Sequence, residues 1–198
     1  IYLGGNVVFK STDEGLNWEV ISPDLTNNIK ERLKITGTPW LSEYFGQEIY
    51  STIHRMAESR HQKGVLWTGS DDGVIALTRD GGKNWKDVTP PGLPELSGIY
   101  EIEISPHDPA TVYLAITRYR KADDYSPYLL KTSDYGKTWE RLDAKFPQDE
   151  ITRTIREDTV RKGMLFVGTE TGIYVSIDDG KAWRRMNLNM PPLPVHDI

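Results

Sequence analysis

Five carboxylates stand where the chain is expected to turn. They are Asp71 and Asp72 in Ser70-Asp71-Asp72-Gly73, Asp123 and Asp124 in the stretch from Arg118 to Pro127, and Glu170 in Thr169-Glu170-Thr171-Gly172. Glycoside hydrolysis uses two carboxyl groups that flank the scissile bond, one protonated and one ionised. Adjacent Asp-Asp pairs project in different directions, so an acid/base couple would have to combine residues from separate turns. Asp71 and Asp72 also suit a tight hairpin turn with no chemistry at all. Arg118, Tyr119 and Tyr125 share the second stretch, and Trp40 and Tyr44 lie in a long connection over residues 22–48. Rings beside charged groups suit sugar recognition, with stacking on pyranose faces and hydrogen bonds to hydroxyls. Equally, these rings could cover one end of the fold while the charges pair in solvent. The catalytic assignment stays open at this point, with ligand contacts expected at Trp40, Tyr44, Arg118, Tyr119 and Tyr125.

Other chemistries find less material. His54, His61, His107 and His196 show no HxH or HExxH spacing, so neither a metal site nor a cofactor is expected. GxSxG, P-loop and GxGxxG patterns are absent, and with no cysteine there is no thiolate or disulfide chemistry. A net charge of −5 argues against nucleic acid as a partner, because phosphate binding needs a concentrated basic surface. No apolar run approaches the roughly 20 residues of a membrane span.

The elements that must hold these residues announce themselves by repetition. Four times a hydroxyl residue is followed by Asp, then Gly, then Trp at fixed spacing. The first copy is Ser11, Asp13, Gly15 and Trp18, and the second is Thr78, Asp80, Gly82 and Trp85. The third is Thr132, Asp134, Gly136 and Trp139, and the fourth is Ser176, Asp178, Gly180 and Trp183. The Trp-to-Trp intervals are 67, 54 and 44 residues, and one four-stranded propeller blade needs about 40–50. Two β-rich runs precede each copy, separated by tight turn residues in three of the units, and a short polar strand follows it. A further strand opens each complete unit, over residues 49–58, 98–104 and 151–157. The fold expected is all-β: antiparallel four-stranded propeller blades, with the repeated turn joining the third and fourth strands. A partial blade would cover 1–27, with blades at about 48–90, 97–143 and 150–188 and another beginning at 194–198. The chain as a whole reads as one segment of a larger propeller.

Within the repeated turn, Asp can accept backbone N–H bonds, Gly permits positive φ, and Trp can wedge between blades. Its residues therefore read as fasteners in all four copies. The loops between second and third strands, and from each fourth strand to the next unit, emerge at the opposite face, where the candidate ligand residues fall.

The repeated turn resembles the Asp-box, or BNR repeat, of sialidase-like and sortilin-like β-propellers. Longer phrases carry the likeness across the chain: Ile21-Ser22-Pro23-Asp24-Leu25-Thr26, Gly64-Val65-Leu66-Trp67-Thr68-Gly69-Ser70-Asp71-Asp72-Gly73, Thr89-Pro90-Pro91-Gly92-Leu93-Pro94, Arg156-Glu157-Asp158, Gly168-Thr169-Glu170-Thr171-Gly172 and Pro194-Val195-His196-Asp197. They are similar to those of large bacterial BNR-repeat proteins labelled glycosyl hydrolase or sortilin N-terminal (VPS10-like). The resemblance implies a secreted, periplasmic or cell-surface protein, with carbohydrate, peptide or another protein as partner and the remainder of its own propeller beside it. It implies a binding platform, a xyloglucanase-like hydrolase or an assembly propeller, and transfers no catalytic residue.

Overall fold

A computed structural model describes residues 1–30, 37–38, 41–42, 50–186 and 189–198. Trp40 and Tyr44 lie outside the described residues. The chain forms a series of antiparallel meanders. The first sheet has three strands, β1 (Tyr2–Gly4), β2 (Val8–Lys10) and β3 (Glu19–Val20). A two-stranded pair follows, β4 (Gly37–Thr38) and β5 (Leu41–Ser42). The second sheet is β6 (Ile53–Glu58), β7 (Leu66–Ser70), β8 (Ile75–Thr78) and β9 (Trp85–Asp87). The third is β10 (Gly98–Ile104), β11 (Val112–Arg118), β12 (Asp124–Thr132) and β13 (Glu140–Arg141), with a one-turn helix α1 (Tyr119–Ala122) between β11 and β12. The fourth is β14 (Thr152–Glu157), β15 (Leu165–Thr169), β16 (Ile173–Ser176) and β17 (Arg184–Arg185).

Successive sheets pack face to face, and their cores are shared in pairs. Val65, Trp67, Ile75 and Leu77 of the second sheet bury against Ile99, Ile102, Leu114 and Ile116 of the third. Tyr113, Ala115 and Leu129 meet Ile155, Leu165 and Val167 of the fourth. A strand pressed between two sheets has no solvent face. All five residues of β7 are accordingly buried, rather than alternating. The architecture is an all-β propeller fold.

Close packing needs a missing side chain at one point. A Cβ on Gly69 of β7 would lie 2.4 Å from Ile99 Cγ2 on the next sheet's first strand. Gly4 and Gly168 occupy the matching position in β1 and β15, where a Cβ would meet Ile53 at 3.0 Å and the Val195 carbonyl at 2.5 Å.

The repeated turn is a hydrogen-bonded knot whose first residue does as much as its aspartate. Thr132 Oγ1 accepts the N–H groups of Asp134 and Gly136 and donates to Asp134 Oδ1. Asp134 in turn accepts the Thr138 N–H at 2.9 Å and its hydroxyl at 2.7 Å. Ser11 and Thr78 repeat the pattern, with Asn17 and Asn84 as the donors four residues after each aspartate. The Asn17 and Asn84 bonds, and those of Thr138, hold the carboxyls of Asp13, Asp80 and Asp134 down to about 2. Depressed folded-state values contribute stability in full above the ordinary aspartate range, and lose it as pH falls toward 2. The thermal midpoint should therefore drop between about pH 4 and pH 2, and Asp134→Asn should flatten that fall. An unchanged acid slope in the variant would refute the assignment.

In three of the four copies the indole then joins two sheets. Trp85 Nε1 donates to the Ile21 carbonyl at 2.8 Å, Trp139 to Val88 at 2.9 Å and Trp183 to Leu142 at 3.0 Å. Those same aliphatic residues sit over Gly82, Gly136 and Gly180 of the turns.

The first copy forms the same turn. Gly15 takes the positive φ, 93°, that its turn requires, and its N–H bonds Ser11 Oγ at 2.8 Å. A Cβ there would meet the ring of its own Trp18 at 3.5 Å, with no aliphatic residue from another sheet above it. Trp18 is 42% exposed.

One local expectation needs correction. The stretch from Arg118 to Pro127 is regular: α1 caps β11, Asp123 takes φ of 52°, and β12 already begins at Asp124. Val195 N–H bonds the Thr169 carbonyl at 2.9 Å, as Ile53 N–H bonds Gly5 at 2.7 Å beside the first sheet.

Candidate binding site

The first strands β6, β10 and β14 run side by side, and each carries a β-bulge near its start. The register slips between Ile53 and Arg55, between Ile99 and Glu101, and between Thr152 and Thr154. A bulge leaves one residue unpaired and re-aims its side chain. The residues singled out are His54, Tyr100 and Arg153, one per sheet. The His54 ring meets the Tyr100 ring edge-on at 4.7 Å. His54 Nδ1 lies 3.1 Å from the Ile99 carbonyl, which only accepts, so Nδ1 carries the hydrogen. Arg55 Nε donates to the Tyr100 carbonyl. Burial raises the Tyr100 phenol above its ordinary value against the opposing pull of Arg120 and Arg153.

Helix α1 reaches both neighbours of its own sheet. Lys121 Nζ donates to the Asp71 carbonyl, lies 3.1 Å from Asp71 Oδ2, and sits 4.4 Å above the Tyr50 ring. On the other side, Tyr119 has the Arg153 guanidinium 4.6 Å over its ring and that of Arg120 at 5.4 Å. Arg153 is almost fully buried and grips Glu170, with Nε 2.9 Å from Oε2. The helix thus ties the second, third and fourth sheets together around the three bulges.

The sequence candidates divide between this assembly and plain scaffolding. Asp71 and Glu170 join it through Lys121 and Arg153. Asp71 Oδ1 also accepts the Thr52 N–H at 2.8 Å. Asp72 is buried and anchors an incoming loop, with Oδ2 accepting the Asn27 N–H at 2.9 Å. Asp124 binds Arg118 and accepts the Tyr128 hydroxyl at 2.7 Å. Burial opposes ionisation there, but the Tyr128, Ser126 and Arg118 partners hold Asp124 down to about 2. Arg118 is therefore a structural partner. Tyr125 stands exposed beside Asp123, whose hydrogen bond raises its phenol. Asp123 serves as the left-handed cap of α1.

Reading the sequence for turns and loops misses the bulge residues Tyr100 and Arg153. The available signal is a break in phase. Apolar positions Ile99, Ile102 and Ile104 are spaced by three and then two, and a gap of three in an alternating strand marks the extra residue.

No family model matches the chain, and no curated protein does. Among solved structures, the GH74 xyloglucanase from Xanthomonas campestris matches 93% of this chain with TM-score 0.65 and 17% identity. An ancestral GH74 enzyme matches 91% with TM-score 0.63 and 16% identity. YCF48 bound to D1 peptide matches 71% with TM-score 0.51 and 21% identity. The chain covers 21% of the ancestral enzyme, 27% of the xyloglucanase and 42% of YCF48. At these identities the likeness establishes the β-propeller fold. Among the described residues no helix is long and apolar enough to cross a membrane, and no group of His, Asp or Glu is arranged to hold a metal ion.

Proposed function

We propose that this chain is a binding segment of an extracytoplasmic β-propeller, and that it seats a stretch of another polypeptide at the axial mouth framed by His54, Tyr100 and Arg153. The observation that carries this is the threefold bulge, which gives up backbone pairing on three consecutive first strands and leaves the His54 ring edge-on to Tyr100, with Arg153 acting on the same phenol. Cations already lie over the rings of Tyr50 and Tyr119. That favours polar recognition of a peptide over stacking on a pyranose ring. A second propeller, YCF48, is known bound to D1 peptide, which lends support.

A glycoside hydrolase is the second reading, and the xyloglucanase among the structural neighbours favours it. Against it, Asp71 and Glu170 are each engaged by a cation, and Asp124, held down to about 2, does not supply the protonated carboxyl that a general acid requires. Peptide and glycan arrays probed with the chain separate the two. Peptide spots that weaken at least tenfold with Tyr100→Ala are expected. Glycan spots, or release of reducing ends from xyloglucan, with Tyr100→Ala indistinguishable from the parent, would overturn the proposal.

A further inference from the structure

We infer that the mouth selects an anionic group, and specifically that Arg55 and Arg120 bind a carboxylate of the incoming polypeptide. This rests on the reading of the mouth as a polypeptide seat and names the chemistry it takes.

The chain is acidic, with a net charge of −5, yet the mouth is not. Among the described residues, four cations gather there, Arg55, Arg120, Lys121 and Arg153, with two carboxylates, Asp71 and Glu170. Lys121 pairs with Asp71 and Arg153 with Glu170. The other two guanidinium groups have no carboxylate among the described residues. Arg55 commits its Nε to the Tyr100 carbonyl, and Arg120 its Nε to the Tyr119 hydroxyl at 2.5 Å. In both, the terminal amino groups have no hydrogen-bond partner among the described residues, and both residues are exposed. A guanidinium fixed at Nε presents its outer edge in a defined direction. That edge is the geometry that bonds a carboxylate with two parallel N–H donors.

Tyr100 links the two groups. Arg55 holds its main chain, and Arg120, fixed on Tyr119, acts on its phenol together with Arg153. Further along the same strands the charge reverses. Arg156 is surrounded by Glu101 at 3.1 Å, Glu103 at 3.7 Å and Asp197 at 2.8 Å. Burial raises the Glu103 carboxyl there despite Arg156. An anion is therefore attracted at the mouth and resisted beyond it, which confines it to the bulges.

The test follows the arginine Nε–H resonances of the full chain by NMR during titration with citrate, a tricarboxylate. Arg55 and Arg120 should shift together and saturate with one dissociation constant that weakens as salt rises. Arg120→Gln should weaken binding at least tenfold, Tyr119→Phe less so, and Arg184→Gln, an exposed arginine on β17, not at all. Small unsaturating shifts shared by all exposed arginines would overturn the inference. So would an Arg120→Gln protein that binds citrate like the parent. Saturable citrate binding combined with blank peptide arrays would keep the anion site and remove the polypeptide reading. Peptide binding indifferent to replacing Glu and Asp by Gln and Asn in the bound peptide would do the reverse.

Discussion

Trp139→Ala should lower the unfolding free energy by about 3–5 kcal/mol, the range for removing a large aromatic from a packed core. The ring stands edge-on to Trp67 at 6.3 Å and packs on the core shared by the second and third sheets. Its indole N–H also satisfies the Val88 carbonyl. Truncation opens a cavity between two sheets and orphans that acceptor. Trp18 occupies the same position in the first copy of the repeat but touches Gly15 of its own turn and is 42% exposed. Trp18→Ala should therefore stay within about 0.5 kcal/mol, as surface changes do. Chemical denaturation of the two variants side by side checks the pair. Equal losses would mean that the tryptophan acts within its own turn and not across sheets.

The second large effect is expected from the smallest change, Gly69→Ala. One methyl group would lie 2.4 Å from Ile99 Cγ2 and 2.6 Å from its Cβ, deep between two sheets. Ile99 is fully buried in the core shared by those sheets. Overpacking of this kind costs about 1–3 kcal/mol and occasionally more. The structure also places Ile99 directly before the bulge at Tyr100. Gly69→Ala should thus weaken ligand binding as well as stability, although residue 69 lies outside the proposed seat. Ile99→Ala removes the Cγ2 that the new methyl meets, so the double variant Gly69→Ala with Ile99→Ala should lose less than the two single variants together. Thermal unfolding and array binding of single and double variants provide the measurement, and additive losses would count against direct steric conflict.

Much of the fold is legible in the sequence because repetition makes it so. Four copies of one turn locate the strands before and after it, and β10 spans Gly98–Ile104 where a unit's opening strand is expected. The turn's aspartate announces itself by type. The hydroxyl residue in front is the less visible hub, accepting two N–H groups of its own. The site is far less legible. Asp71, Glu170 and Tyr119 stand out as turn or loop residues of suitable chemistry, and they do meet, but through Lys121 and Arg153. Sequence spacing carries no trace of those partnerships, because they cross from one sheet to the next. Arg153 reads as an ordinary strand residue and joins the assembly only through a slip in register. The stretch around Asp124 reads as loop because Arg, Lys, Asp and Pro crowd it. Pairing with Arg118 and Tyr128 stabilises it as strand instead.

The acceptors of the three bridging indoles belong to Ile21, Val88 and Leu142, three different residues. What each tryptophan recognises is a main-chain oxygen, which every amino acid supplies. The joint between neighbours is consequently indifferent to most substitutions on the receiving side, provided that the aliphatic residue fits over the facing glycine. Units built this way can be duplicated, or can drift in sequence, without losing the ability to dock. An arrangement of that kind lets a rim of loops diversify while the wheel beneath it stays the same.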